Sequence, residues 1–256
     1  MNKQSFSSNK HLDISKAFLR ISIILPVYNE AENIEEQIKQ IEEAVKIDHE
    51  ILIIYDFDDD NTIDTVKKLQ KRYSSLRLVK NIIGPGLINA IKAGLEKCHG
   101  ELVVVMPADL SDRPKTINKM YQKIIDGCDI VCATRYAKGG KKIGGGILKT
   151  SLSRLAGLLT PLLLGIATTD IANGFKMYRK EVLKNIKIES TGGWEFSMEI
   201  VVKANCLGFK ICEVPTVWRD RISGKSKFKL LKWLPKYIRW YLLGILLRLN
   251  IYRLVF

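Results

Sequence analysis

Short apolar runs alternate with amphipathic segments along the first half of the chain. The first run, Ile21–Val27, is continuous and rich in β-branched residues, which is typical of a strand buried on both faces of a parallel sheet. The next segment carries Ile34, Ile38, Ile41 and Val45 at helical spacing among polar residues. The same alternation predicts further strands at Glu50–Tyr55, Leu76–Lys80, Glu101–Met106 and Ile130–Thr134, and helices at Thr62–Tyr73, Leu87–Lys97 and Pro114–Asp126.

This alternation predicts an α/β fold. Strands that alternate with helices of this length form right-handed βαβ units and a mostly parallel sheet, and ligands bind beyond the carboxyl ends of its strands. We therefore expect carboxylates, a metal site and phosphate contacts along one rim of the sheet. The segments that follow the predicted strands are Tyr28-Asn29-Glu30, Asp56–Asp60, Gly84-Pro85-Gly86, Asp109 with Asp112, and Arg135-Tyr136.

Two apolar stretches in the second half are unsuited to spanning a membrane. Residues 155–169 carry no charge, but Pro161 interrupts a run that is already short for a spanning helix. The stretch 230–256 is rich in Leu, Ile, Trp and Tyr, yet its longest uncharged piece, Trp240–Leu247, is too short to cross a bilayer.

The end of the chain instead predicts an amphipathic helix. Basic flanking residues favour a helix that lies on a membrane surface, and the alternative is a helix packed on the protein's own core or on a partner subunit. We divide the chain into a tail (1–20), an α/β domain (21–228) and a membrane-surface helix (229–256). The basic face is Lys232, Lys236 and Arg239, and the apolar face is Trp233, Tyr237, Trp240 and Leu247.

The positive charge of the chain is confined to its back half. The formal net charge is +14, but residues 135–256 hold 23 Lys and Arg against 7 Asp and Glu, whereas residues 1–134 hold 18 against 20. This asymmetry indicates an anionic partner for the back half, such as nucleic acid, anionic lipid or a phosphorylated substrate. Nucleic acid is disfavoured, because no RRM, KH, helix-turn-helix or zinc motif is present.

The cysteines and the N-terminus bear on the cellular compartment. Five cysteines, without a CxxC pair, predict ordinary buried thiols in a reducing compartment. The first twenty residues are polar and lack the apolar core of a secretory signal.

Two aspartates lie at or just after the ends of predicted buried strands. The acidic run Asp56–Asp60 does not fit a calcium loop, because the glycine and the bidentate glutamate of such a loop are missing. We interpret Asp58–Asp60 as a solvated turn that caps the next helix, and Asp56 as a ligand contact. Asp109 follows an apolar strand and is expected to chelate Mg²⁺ or Mn²⁺, which take oxygen ligands and bridge diphosphates.

Eight strings occur in a characteristic order. They are PVYNE (26–30), the turn at Asp56, GPGLINAIKAGL (84–95), MPADLSDRP (106–114), TRY (134–136), DIANGFKMYRKEV (170–182), GWEFSMEI (193–200) and EVPTVWRDRISGKSK (213–227). Together they resemble the family 2 glycosyltransferases with a GT-A fold, and among them the dolichol- and polyprenyl-phosphate mannose or glucose synthases. The resemblance covers roughly residues 20–230.

The resemblance implies roles for the matching residues on the donor side. Pro26, Tyr28 and Glu30 match the first loop of the family, which cradles the nucleotide. Asp56 matches an aspartate that contacts the base or the ribose, and Asp109 matches the second aspartate of the DxD metal motif.

The resemblance also implies phosphate-binding residues. Arg135 and Lys149 match the cationic positions that surround the phosphates in the family. Arg221 and Lys227 match the family's mobile basic segment, which closes over the donor or acceptor phosphate.

The chain departs from the family pattern at both acidic motifs. The DxD motif is Pro107-Ala108-Asp109, and the paired aspartates usual after the second strand are Tyr55-Asp56. Metal binding then depends on Asp109, diphosphate oxygens and water, with Asp112 as a helper, which is compatible with the few carboxylates that Mg²⁺ needs.

These features predict an inverting transfer of sugar from a GDP- or UDP-sugar to a polyprenyl monophosphate, by a peripheral protein on the cytoplasmic face of a membrane. A membrane partner subunit or a homo-oligomer is left open. One alternative is transfer to a sugar hydroxyl, which requires a base such as Glu195, whereas Glu199 is interpreted as the structural partner of a nearby Lys or Arg. Another alternative is a non-catalytic nucleotide-sugar-binding peripheral membrane protein.

Overall fold

A computed structural model describes residues 19–220, 230–249 and 251. In this part of the chain the strands are β1 Ile21–Pro26, β2 His49–Tyr55, β3 Leu76–Lys80, β4 Leu102–Val105, β5 Ile130–Thr134, β6 Lys141–Ile143, β7 Lys176–Arg179, β8 Ile211–Pro215 and β9 Val217–Arg219. The helices are α1 Ala31–Ala44, α2 Thr62–Leu69, α3 Leu87–Lys97, α4 Thr116–Ile125, α5 Ile147–Leu164, α6 Lys180–Lys184, α7 Phe196–Cys206 and α8 Leu230–Arg248.

The main sheet has the strand order β3-β2-β1-β4-β7-β5-β8. Strands β1 to β4 pair in parallel, β5 pairs in parallel with β8, and β7 is antiparallel to both β4 and β5. Because β7 is antiparallel to both its neighbours, β4 and β5 point in the same direction. The carboxyl ends of β1 to β5 therefore lie along one edge, which confirms the predicted α/β fold with a mostly parallel sheet.

Successive residues of each strand pack against opposite helical layers, as the two-residue period of a strand requires. On β1, Ile23 packs with Ile38 of α1 and Met120 of α4, whereas Ile24 packs on the opposite face with Ile91 of α3. All five side chains are essentially inaccessible to solvent. Burial on both faces explains why the predicted strands are continuous apolar runs rather than alternating ones.

The C-terminal helix α8 packs on α7 and α5 of the same chain. Trp240 is buried and its Nε1 donates to Ser190 Oγ at 3.0 Å, and Tyr241 Oη donates to the Ala156 carbonyl at 3.1 Å. The prediction that Trp240 and Tyr237 form a membrane-facing surface is therefore wrong, because these aromatic side chains complete the core beside α7. The division of the chain at residues 20 and 228 stays a prediction.

A different apolar face of α8 is exposed, and α5, which packs beside α8, also carries exposed leucines. The exposed residues are Ile238, Leu242 and Leu246 of α8 with Leu249 just after it, and Leu152, Leu155, Leu158 and Leu162 of α5. We call these eight residues the two-helix apolar surface. None of the helices in the described part of the chain combines the length and apolar character that crossing a bilayer requires.

A disulfide links Cys128 to Cys212, with a Cα–Cα distance of 6.1 Å. The prediction of reduced thiols is thus wrong for this pair, and the prediction of burial is wrong for Cys206, which is exposed. The pairing of β5 with β8 brings the two cysteines together across 84 residues of sequence, and no local spacing indicates such a contact.

Candidate active site

The loops after β1 and β2 are joined by hydrogen bonds at the rim. The backbone N–H of Asn29 donates to Asp60 Oδ2 at 3.1 Å, and that of Glu30 donates to Thr62 Oγ1 at 2.9 Å. Asp60 Oδ1 also accepts the N–H of Thr62, the first residue of α2, at 2.8 Å, which confirms that this aspartate caps the helix. The prediction of a solvated turn is wrong for Asp60, which is buried. The nucleotide-cradling role of Glu30 stays a prediction.

An aromatic pair flanks this junction. Tyr28 and Phe57 meet edge to face, with ring centroids 6.3 Å apart, and both are substantially exposed. Pro26 ends β1 just before them. Exposed aromatic faces at a strand end are suited to an apolar planar group such as a nucleobase. The structure thus brings Pro26 and Tyr28 to the rim with Asp56, as the sequence predicts.

Asp56 holds the loop between β3 and α3. Its Oδ1 accepts from Asn81 Nδ2 at 2.7 Å, and its Oδ2 accepts from the backbone N–H of Gly86 at 2.8 Å. Gly86 has a φ of 113°, a conformation that side-chain-bearing residues rarely adopt. The sequence did not predict this loop-closing role. The contact of Asp56 with a nucleoside stays a prediction, for which a carboxylate retains further lone pairs.

Asp109 and Asp112 lie close together in the buried turn after β4. Asp109 Oδ1 accepts the N–H of Ser111 at 3.1 Å, and Leu110 between them has a φ of 62°, which is uncommon for a residue with a side chain. Asp112 is buried, and among the described residues its Oδ1 has no hydrogen-bond partner. Burial raises the pKa of Asp112 to about 7, the positive charge of Arg135 opposes that rise, and the negative charge of Asp109 adds to it.

These two carboxylates fit a divalent cation that is shared with a substrate. The described residues contain no cluster of three or more metal-ligating side chains. Mg²⁺, however, usually takes one or two carboxylates together with substrate phosphates and water. A buried carboxylate oxygen without a partner beside a second carboxylate is costly, and a cation would offset that cost.

Arg135 follows β5 and is held by the buried carboxylate of Asp170. Its Nε donates to Asp170 Oδ2 at 2.7 Å, and its Nη2 donates to Asp170 Oδ1 at 2.8 Å and to Ser153 Oγ of α5 at 3.2 Å. Burial by itself lowers the pKa of Arg135, but the charge and hydrogen bonds of Asp170 raise it well above its ordinary value. The guanidinium also lies over the rings of Tyr136 and Trp218, at 5.3 and 5.9 Å.

Asp170 is the residue of this site that sequence reasoning missed. It stands in one of the eight strings, but nothing in its local pattern shows that its partner is 35 residues earlier. Other predicted cations cannot be placed with it: the side chain of Lys149 on α5 is not described, and Arg221 and Lys227 lie outside the described residues.

The two glutamates of α7 differ in environment. Glu199 accepts hydrogen bonds from the backbone N–H groups of Glu189 and Ser190 and from Lys203 Nζ at 2.7 Å, which confirms its structural interpretation. Glu195 is buried, and its Oε2 accepts the N–H of Gly193 at 2.7 Å. Within the described residues Glu195 Oε1 has no hydrogen-bond partner.

The fold is that of a GT-A protein, with a mostly parallel sheet whose carboxyl-end rim carries the acidic residues. Two solved structures of glucosyl-3-phosphoglycerate synthase from Mycobacterium tuberculosis share it. One, in complex with Mn²⁺, UDP and glucosyl-3-phosphoglycerate, superposes with a TM-score of 0.66 at 20% identity, over 92% of this chain and 81% of that one. The other, with Mn²⁺, UDP-glucose and phosphoglyceric acid, has a TM-score of 0.65 at 21% identity, over the same shares of the two chains.

A family model for glycosyl transferase family 2 matches residues 22–187, and the chain belongs to that family. It is 31% identical over 214 residues to a dolichol-phosphate mannosyltransferase of Pyrococcus furiosus, a match that covers 82% of this chain but only 60% of the relative. It is 27% identical over 215 residues to an undecaprenyl-phosphate mannosyltransferase of Micrococcus luteus, covering 82% of this chain and 87% of that protein.

Proposed function

We propose that this chain transfers a mannosyl group from a nucleoside-diphosphate sugar to a polyprenyl monophosphate at the cytoplasmic face of a membrane. One observation carries the proposal: Arg135 is hydrogen-bonded to Ser153 of α5, the helix that bears half of the two-helix apolar surface. Arg135 therefore connects the acidic rim, which is suited to the sugar donor, with the helix that carries part of the surface suited to a lipid.

The donor half of the proposal is supported by the rim. Tyr28 and Phe57 offer aromatic surface for a base, and Asp56 fixes the loop beside them. Asp109 and Asp112 would hold a divalent cation, which when bound supplies positive charge that neutralises the leaving diphosphate. Both curated relatives are named mannosyltransferases, which makes mannose the first sugar to test.

The acceptor half is supported by the two-helix apolar surface and its charge. Neither α5 nor α8 contains an acidic residue, and both carry exposed cations, such as Arg154 and Arg239. An apolar helical face flanked by basic residues is suited to the boundary between the acyl chains and the headgroups of an anionic membrane. Both relatives are named for lipid-phosphate acceptors.

The proposed chemistry is a single displacement with inversion. An oxygen of the lipid phosphate attacks the anomeric carbon of the sugar, a new carbon–oxygen bond forms, and the bond to the nucleoside diphosphate breaks on the opposite face. The second pKa of a phosphate monoester is about 6, so the nucleophile is already ionised and requires no general base. The protein must instead bring two anions together, which Arg135 and the basic back half favour by charge.

The proposal is tested by incubating the full chain with vesicles containing undecaprenyl phosphate and radiolabelled GDP-mannose or UDP-glucose, with and without EDTA. We expect a chloroform-soluble, acid-labile labelled product that EDTA abolishes. Label that remains in nucleotide form despite bound donor would instead indicate a non-catalytic nucleotide-sugar-binding protein.

Transfer to a sugar hydroxyl is the second candidate, and Glu195 is the observation that favours it. Its buried Oε1 lacks a hydrogen-bond partner within the described residues and could accept a proton from a hydroxyl nucleophile. A water-soluble glycan product, lost in Glu195→Gln, would establish this candidate over the lipid phosphate.

A further inference from the structure

Asp170 is fully buried, and within the described residues its carboxylate accepts hydrogen bonds from Arg135 alone. Besides the Nε and Nη2 groups, the backbone N–H of Arg135 donates to Asp170 Oδ2 at 3.0 Å. The side chain of Asp170 is 0% exposed, against 12% for that of Arg135. The Asp170 carboxylate therefore binds both the backbone N–H of Arg135 and one edge of the Arg135 guanidinium.

The segment that carries Asp170 is itself anchored to two strands. The N–H and Oγ1 of Thr169 donate to Glu213 Oε2 of β8 at 2.6 and 2.9 Å, and the same hydroxyl lies 2.9 Å from Thr134 Oγ1 of β5. Three residues later, Asn173 Nδ2 donates to the Ala133 carbonyl at 2.9 Å. The position of the Asp170 carboxylate is thus fixed by the sheet rather than by a free loop.

This anchoring determines which edge of Arg135 is available. A guanidinium is a rigid plane with five N–H donors, so that fixing one edge fixes the other. The edge formed by Nε and Nη2 faces Asp170, and no hydrogen bond from Nη1 occurs within the described residues. The Nη1 group therefore points away from the carboxylate, and the Arg135 side chain as a whole keeps 12% of its surface exposed.

A purely structural ion pair explains this arrangement less well. Burying two charges costs desolvation free energy, and replacing such a pair with apolar residues is often neutral or stabilising. The pair also lies within electrostatic reach of Asp112, at the strand end where the acidic rim is built.

We propose that Asp170 is a positioning residue, which orients Arg135 so that its Nη1 edge meets an anionic phosphate oxygen of the substrate. The identity of that substrate rests on the proposed function, whereas the orientation of Arg135 does not.

The test is a double-mutant cycle of Asp170→Asn and Arg135→Lys on the full chain, read by calorimetry with two anionic probes, farnesyl monophosphate and GDP. We expect Asp170→Asn to weaken binding of at least one probe about tenfold or more, because neutral asparagine no longer aligns the guanidinium. In the Arg135→Lys background, Asp170→Asn should weaken probe binding by less than about twofold, because the effects of substituting two coupled residues do not add.

Two further variants separate orientation from folding. Asp170→Glu keeps the charge but displaces the guanidinium, and should lower kcat by about 10²-fold in protein that is still folded at the assay temperature, since small misplacements are costly. Asp129→Asn is the matched control, because Asp129 pairs with Arg179 at 3.5 Å at the other end of β5. It should leave binding of both probes unchanged.

The inference is overturned if the losses in the double mutant simply add, if both probes bind Asp170→Asn as they bind the wild type, or if the wild type binds neither probe. Failure of the proposed function is distinguishable from these outcomes. A wild type that binds an anionic probe but transfers no sugar to undecaprenyl phosphate contradicts the proposed function. The double-mutant binding cycle then still tests whether Asp170 orients Arg135.

Discussion

The carboxylate of Asp56 accepts the backbone N–H of Gly86 at 2.8 Å, and so ties the end of β2 to the start of α3. Asp56→Ala should therefore open the loop and weaken binding of a nucleoside diphosphate. It should also lower the free energy of unfolding by about 1–3 kcal/mol, because two hydrogen bonds to a charged carboxylate are lost, one of them from the buried Asn81. Calorimetry with GDP and UDP, together with thermal unfolding, measures both effects.

Asp58→Ala is the control for this change. Asp58 pairs with Lys80 at 2.5 Å, but both side chains are exposed, and such pairs contribute about 0–1 kcal/mol. Equal effects of the two substitutions on nucleotide binding would contradict the special position of Asp56.

The two carboxylates after β4 should differ in how they affect metal dependence. Asp109→Ala should lower kcat at least about 10²-fold, because several kcal/mol of charge stabilisation are lost with the cation. Asp112→Asn should retain turnover but need about 10- to 100-fold more Mn²⁺, the range seen when groups that support a metal site are lost. Initial rates across a Mn²⁺ titration measure both, with the exposed Asp126→Asn as control. An Asp109→Ala protein with wild-type rates would contradict the site assignment.

The two-helix apolar surface should mediate binding to anionic vesicles. Leu155→Asp or Leu242→Asp should each weaken co-sedimentation about tenfold or more, because burying one leucine contributes about 1.5–3 kcal/mol and a charge opposes it. Ile125→Asp is the matched control, since Ile125 is similarly exposed but lies on α4, in the other helical layer. Equal losses for all three variants would show that this surface is not specific for the membrane.

Glu50 should make the stability of the protein depend on acid pH. Burial by itself raises the pKa of Glu50, but hydrogen bonds from Ser22, from the N–H of His99 and from Arg77 outweigh it and lower the pKa below the ordinary 4.5. A carboxyl whose pKa is lower in the folded state stabilises the fold above its unfolded pKa. That contribution disappears as the pH falls through the folded pKa.

Chemical denaturation at pH values from 7 down to 3 measures this contribution. The wild type should lose stability in the acid range, and Glu50→Gln should be less stable at pH 7 but show a shallower acid dependence. Glu35→Gln, at an exposed position of α1, should retain the wild-type profile. A Glu50→Gln profile parallel to that of the wild type would contradict the assignment.

The sequence predicted the rim of the candidate site more completely than the contacts within it. The strand ends were evident because β1 to β5 are local apolar runs, and the rule for parallel sheets brings their following residues together. Asp109, Asp112 and Arg135 were identified in this way. The closure of the loop by Asp56 was not, because it depends on where Asn81 and Gly86 lie in space.

The sequence of α8 also did not show which of its apolar residues are buried. A helical period reveals that the segment has apolar positions, but not which of them meet the core. Trp240 and Tyr237 look suited to a membrane in sequence, yet they pack beside α7, and the smaller aliphatic residues Ile238 and Leu242 are exposed.

The sequence by itself therefore determined the α/β class, the segments that follow the strands at the rim, and the basic character of the back half. Each of these follows from residues that are close together in the chain. Only the tertiary structure decided the Arg135–Asp170 pair, the Cys128–Cys212 link and the exposed face of α8. These contacts join segments 35 to 84 residues apart or depend on how a helix docks. The strand order brings β5 beside β7 and β8, and the packing of α8 on α7 and α5 decides which face of that helix is exposed. No local periodicity encodes either arrangement.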